Sequence, residues 1–265
     1  MSTVVQNTKT SVRRLYALLY EFEILSKTIS TRNLGVNIIM SEPIDAYLRD
    51  TTKGWILVDS DIDDSILAKK YFVDRGWTPL SVVLPMHRLK DQLSLIGIEP
   101  EMINYIILIH THTDHTGNLK YFPTAKIYIQ CQEYEYAFQS PEKLSYARFR
   151  DDYDNRPETD WLLIDGDTNI LSSLNSISIR GHTLGHQSVL VLLPSGTSII
   201  MTDDAGDLLE NYEKEILPGE SVDDTVALKS IRRLKQLASL SNAHLFLCHY
   251  PILIQTLKLT PDYYD

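Results

Sequence analysis

Short apolar segments of strand length recur along most of the chain, and that recurrence constrains the fold more than any other feature. Gly54 to Asp59 (Gly-Trp-Ile-Leu-Val-Asp) ends an apolar run on a carboxylate. Asn104 to Ile109 reads as a strand buried on both faces, and Lys126 to Gln130 alternates apolar and polar residues. Ser176 to Arg180, Ser188 to Leu193 and Ser198 to Met201 follow in close succession, and Ala243 to Cys248 is the last clear strand. Two amphipathic stretches lie between them. Pro85 to Leu95 puts Met86, Leu89 and Leu93, and then Ile96, on one helical face. Ser221 to Leu240 spaces Val226, Leu228, Ile231, Leu234, Leu237 and Leu240 helically. Asp223 and Asp224 sit near its start, where the helix dipole favours negative charge. Ser26 to Asn33 and Asp151 to Asp160 read as loops. Strands mixed with amphipathic helices predict sheets covered by helices. No linker or internal repeat divides the 265 residues, so residues 1–265 are expected to form one domain.

Composition narrows the partners. The 25 Lys+Arg against 35 Asp+Glu give a formal net charge of −10, which repels phosphate backbones and argues against nucleic acid. Two cysteines, Cys131 and Cys248, are too few for a disulfide framework and point to a reducing compartment. No apolar run approaches the roughly 20 residues that span a bilayer. Met1 to Arg14 is polar and lacks the apolar core of a signal peptide. A cytoplasmic protein without a membrane partner is expected.

The chemistry concentrates in Ile109-His110-Thr111-His112-Thr113-Asp114-His115-Thr116-Gly117, directly after a strand. Imidazole nitrogen and carboxylate oxygen suit a borderline metal such as Zn²⁺. His110 and His112 can aim at one point from an extended or turning backbone. Asp114 and His115 then face a neighbouring point, so two metals side by side are expected. Gly181-His182-Thr183-Leu184-Gly185-His186 supplies further histidines after a strand. Thr202-Asp203-Asp204-Ala205 supplies carboxylates after the next, and Cys248-His249 closes the last. Spacing alone does not choose between His182 and His186, nor between Asp203 and Asp204. His87 and His244 read as ordinary histidines. Cys248 is expected to pack in the core, on the opposite face from His249.

These residues, in this order and approximate spacing, resemble the metallo-β-lactamase superfamily. The resemblance runs from about Trp55 to the C-terminus. It implies an α+β fold, an αββα four-layer sandwich with a metal site at one edge of paired sheets. Within the superfamily the chain looks most like the N-acyl-homoserine lactone lactonases. It shares with them Arg14-Leu15-Tyr16, His182-Thr-Leu-Gly-His186-Gln-Ser188, Thr202-Asp-Asp204-Ala205 and Ser230-Ile-Arg-Arg-Leu-Lys235. Carried over by position, the resemblance implies that His110, His112 and His182 hold one metal. Asp114, His115 and His249 would hold a second, and Asp204 would bridge them. His186 would support the site, and Asp59 would hydrogen-bond behind the ligands. Two Zn²⁺ or other divalent transition metals per chain are the implied cofactor. The implied reaction is hydrolysis of a small lactone, most of all an N-acyl-homoserine lactone, by a water the metal pair activates, with Asp114 or a water protonating the leaving group.

One position departs from the pattern. Lactonases of this group usually carry a tyrosine three residues after the bridging aspartate, where this chain has Asp207. A carboxylate donates a hydrogen bond only when protonated. Either another donor such as Tyr212 takes that catalytic role, or the substrate differs. Tyr71, Phe72 and Trp77 read as core, with an apolar substrate pocket as the competing role. A glyoxalase-II-like thioesterase is the near alternative. A metal-binding or ligand-sensing protein without catalysis is the alternative from another class. The oligomeric state is open, with a homodimer among the candidates.

Overall fold

In the computed structural model, residues 11–63, 81–139 and 150–265 are described. Tyr71, Phe72 and Trp77 lie outside them. Two sheets face each other. Among the described residues, the first has seven strands: β1 (Val12–Ser26), β2 (Ile39–Thr51), β3 (Gly54–Val58), β4 (Ser81–Val83), β5 (Ile103–Ile107), β6 (Lys126–Gln130) and β7 (Trp161–Ile164), in the order β4-β1-β2-β3-β5-β6-β7. The second has five: β8 (Thr168–Leu171), β9 (Leu174–Ser178), β10 (Gln187–Leu192), β11 (Ser198–Met201) and β12 (Ala243–Phe246), in the order β12-β11-β10-β9-β8. Both are mixed. β3, β5, β6 and β7 run parallel, as do β11 and β12, and the remaining neighbours are antiparallel.

The period of two along each strand builds the layers. In β3, Ile56 and Val58 point between the sheets while Leu57 points outward. In β11, Ile199 and Met201 point inward and Ile200 outward. Beyond β12, Cys248 joins Phe246 in the inter-sheet core and Leu247 faces out, as the alternation predicts. The outer face of the first sheet is covered by α1 (Leu89–Leu95), through Leu89 and Leu93. The outer face of the second is covered by the long helix α5 (Asp224–Ser241), through Ile231 and Leu234. The expected four-layer sandwich is therefore present. Among the described residues, no helix is long and apolar enough to cross a membrane.

The expected strands all form, with ends shifted by no more than two residues. The helices differ more. Pro85 to Leu95 is not continuous: Pro85–His87 is a 3₁₀ turn, and Arg88 is extended before α1 begins. Met86 therefore leaves the buried face and is 67% exposed. In α5 the N-cap is Asp223, whose side chain accepts from Val226 N–H, and Leu240 at the far end is exposed. Several further elements carry no expectation from the sequence, among them the β1–β2 hairpin and helix α3 (Cys131–Gln139). Leu15 to Tyr20 is buried without a break because β1 is covered on both faces, which erases the alternation.

Candidate metal centre

The histidines and carboxylates gather where strands of both sheets end at one edge. β5 leads into His110 and His112, and the short turn α2 (Thr113–Thr116) then carries Asp114 and His115. The β9–β10 loop brings His182. Gly181 before it has φ +127, and a Cβ there would collide with the backbone of Ala227 in α5. Only glycine allows that close approach. β11 leads to Asp203 and Asp204, and β12 leads to His249.

Three overlapping groups result: His110, His112, His182 and Asp204; Asp114, His115, Asp204 and His249; and His110, His115, Asp203 and Asp204. Within each group the ligand atoms lie within 4.8 Å of one another. Asp204 belongs to all three, and its two oxygens are divided between the first two. Oδ2 lies 3.1 Å from His182 Nε2 and 3.4 Å from His110 Nε2. Oδ1 lies 2.9 Å from His249 Nε2 and 3.7 Å from His115 Nε2. Asp114 Oδ2 is 3.1 Å from His115 Nε2. Asp203 instead lies 3.6 Å from Nδ1 of His115, the nitrogen that pairs with Asp59.

The donor set fits metal ions. Both ring nitrogens of His110 are buried without a hydrogen-bond partner among the described residues, as is His115 Nε2. His182 Nε2 and His112 Nδ1 face each other at 3.1 Å. His182 Nδ1 is directed at the Glu220 carbonyl, 3.2 Å away, which leaves Nε2 as the acceptor of the neutral ring, so with His112 protonated on Nε2 both facing nitrogens can present lone pairs to one cation. Burial and the neighbouring His182 push His112 down to about 3. Burial, His115 and His112 hold His110 well below the ordinary imidazole range. Both rings are thus neutral, the form that binds a metal.

Supporting contacts fix the rings. Asp59 Oδ1 accepts from Ile109 N–H at 2.8 Å, and Oδ2 lies 3.0 Å from His115 Nδ1. Asp59 is itself held at φ +57 beyond β3. His249 Nδ1 lies 3.0 Å from the Pro43 carbonyl of β2. Glu133, fully buried on α3, accepts from Thr111 N–H and hydroxyl through Oε1 and from Gly185 N–H through Oε2. It ties the two ligand loops together. The sequence offers no pattern around Glu133 that marks it. His186 is buried among His110 and His182, ring centroids 5.1 and 5.4 Å away, and neither of its nitrogens has a hydrogen-bond partner. His244 is exposed. Asp207 is buried, and its Oδ1 has no hydrogen-bond partner among the described residues. Tyr212, on α4 (Leu209–Lys214), is buried in the core between α5 and the second sheet, its ring beside Gly206.

The sequence model of the Metallo-beta-lactamase superfamily matches residues 41–249, which carry every one of these ligand candidates. The chain belongs to the metallo-beta-lactamase superfamily. It is similar to an N-acyl homoserine lactonase from Rhizobium johnstonii, with 33% identity over 181 residues, 66% of this chain and 68% of that one. It is also similar to an N-acyl homoserine lactonase from a Bacillus species, with 29% identity over 256 residues, 96% of this chain and 99% of that one. The solved structure of an N-acyl homoserine lactone hydrolase, with N-hexanoyl-L-homoserine at its catalytic metal center, superposes with a TM-score of 0.82. It is 27% identical and covers 96% of this chain and 100% of that one. The protein is a metal-dependent hydrolase of this superfamily, related to the lactonases, with buried His/Asp clusters suited to two metal ions.

Proposed function

We propose that this hydrolase opens small lactones, N-acyl-homoserine lactones above all. The observation that carries the reading is the division of Asp204 between two ligand groups, together with a full-length likeness to lactonases. In this reading His110, His112 and His182 hold one divalent transition metal, zinc or a close equivalent. Asp114, His115 and His249 hold the second, and Asp204 is shared. Bound in this way, the metals bring the pKa of water to about 7 and polarise an ester carbonyl.

The chain's own residues do the rest. Asp59, the Pro43 carbonyl and the Glu220 carbonyl each engage Nδ1 of a ring, leaving Nε2 of His115, His249 and His182 turned to the centre. Burial raises the Asp114 carboxyl, but His115 outweighs it and holds the group below the ordinary carboxylate range. Ionised, Asp114 takes the proton of the attacking water and returns it to the leaving alkoxide as the ring opens. Asp207, with Tyr212 behind it, is the substrate-side group in place of the usual tyrosine. A pH-stat assay on acyl-homoserine lactones, γ-butyrolactone and thioesters tests the reading. Ring opening of the homoserine lactones is expected. Turnover confined to thioesters would overturn it in favour of a glyoxalase-II-like role.

A further inference from the structure

The two ligand groups are supported in different ways. In the second group, His115 and His249 are each oriented through Nδ1, by Asp59 and by the Pro43 carbonyl. In the first, His182 has the Glu220 carbonyl. The other two rings have no such support. Neither nitrogen of His110 has a hydrogen-bond partner among the described residues, and His112 Nδ1 faces His182 Nε2, another candidate ligand atom. The first position therefore depends on how the main chain places His110 and His112 against His182.

That main chain is held by the carboxylate of Glu133, in the first turn of α3. Its Oε1 accepts from Thr111 N–H at 3.0 Å and from the Thr111 hydroxyl at 2.7 Å, between His110 and His112. Its Oε2 accepts from Gly185 N–H at 3.0 Å, in the loop that carries His182. Gly185 makes the approach possible, since a Cβ there would collide with the Glu133 backbone. The turn bearing Asp114 and His115 is held separately, with Asp152 accepting from Thr113 and Thr116. Nearer the strand ends, Gln187 joins the same two segments independently. Its N–H donates to the Ile109 carbonyl at 3.2 Å and its Nε2 to the Leu108 carbonyl at 2.7 Å. Loss of the Glu133 carboxylate thus frees the two loops from each other while the strand ends stay joined.

We propose that Glu133 is the positioning residue of the first metal position. It sets the separation of the His110–His112 turn from His182, and the second position does not depend on it. This rests on the two-metal reading of the centre. The test is zinc affinity, measured by competition with a chromophoric chelator, one position at a time. His249→Ala leaves the first position and His112→Ala leaves the second. Glu133→Gln keeps the size of the side chain but turns an NH2 towards one of the two loops, donor against donor. Added to His249→Ala it should lower zinc affinity by about 10–100-fold, the scale of a partner that orients ligands from behind. Added to His112→Ala it should leave the affinity unchanged. The visible spectrum of Co²⁺ bound in place of zinc, which reports ligand geometry, should change with the first pair and not with the second. Thr111→Val removes one of the three donors, so its loss should be smaller and equally selective; it carries the test where Glu133→Gln does not fold. Equal losses at both positions overturn the proposal, since Glu133 would then support the fold in general. Unchanged affinity at the first position overturns it as well. If His249→Ala or His112→Ala alone does not hold one ion, the two-metal reading fails and the proposal with it. If each holds one and the Glu133 and Thr111 variants do not discriminate between them, the proposal alone fails.

Discussion

The floor of the site and its wall are assembled differently. The floor comes from loops at the ends of β5, β9, β11 and β12. Its rings are oriented from behind by named partners, such as Asp59 for His115 and Pro43 for His249. The wall comes from the long β1–β2 hairpin and the segments after β11, where Glu23 and Glu42 pair across the strands and Asp207 is buried with one oxygen that has no hydrogen-bond partner among the described residues. The difference separates two functions. A floor with preset donors fixes the class of reaction, because its geometry is complete before substrate arrives. The wall carries Asp207 where the lactonase pattern has a tyrosine, so it is the part in which a difference of substrate would arise.

The sharpest way to break this division is at the shared carboxylate. Asp204→Asn should cost more kcat/KM than the roughly 10–100-fold typical of an outer-shell partner, because an amide is a poor ligand between two cations. Asp203→Asn should cost less, since Asp203 lies on the Nδ1 side of His115. The reverse ranking, with metal content measured alongside, would exchange their roles. Asp59→Asn comes next. It leaves every proposed ligand in place but loosens His115, so a loss of about 10–100-fold in metal affinity or activity is expected. No measurable effect would mean that the floor does not depend on its supports.

Asp207→Tyr tests the wall. It restores the donor of the lactonase pattern while removing an acceptor. Activity on a neutral acyl-homoserine lactone should rise by about tenfold in kcat/KM, less than a donor in a preorganised site gives. A fall on the neutral lactone would show that Asp207 serves the reaction itself.

The smallest effect concerns the underside of the floor. Asp152 accepts at 2.9 Å from both Thr113 and Thr116, which flank Asp114 and His115. Burial pushes its carboxyl up to about 7 from the ordinary 3.8. A raised folded-state value means that its contribution is fully present below the unfolded value and is lost as pH rises through about 7. Asp152→Asn should therefore stabilise the protein at about pH 8 relative to about pH 5, by roughly 1–2 kcal/mol in denaturant melts. An equal shift at both pH values would contradict the assignment.

The floor was legible in the sequence and the wall was not, for a physical reason. Metal chemistry demands several ligands from one short turn, so His110, His112, Asp114 and His115 announce themselves within six residues. The strand alternation that predicts the two sheets is equally local. Glu23 and Glu42 meet only through the register of β1 and β2, and Leu15 to Tyr20, buried on both faces, shows no period from which to infer that strand. Glu133 reaches the ligand loops from a helix with no motif of its own. Asp207 was visible as a departure from the lactonase pattern, but its missing hydrogen-bond partner is a three-dimensional fact.

The central claim is that Asp204 joins two metal positions, one per ligand group. The direct measurement is metal content per chain, by elemental analysis after zinc loading and desalting, for the native protein, His112→Ala and His249→Ala. The account predicts about two ions for the native protein and about one for each variant, with chelation abolishing hydrolysis. A native protein that holds one ion or none, or hydrolysis that survives chelation, would contradict it.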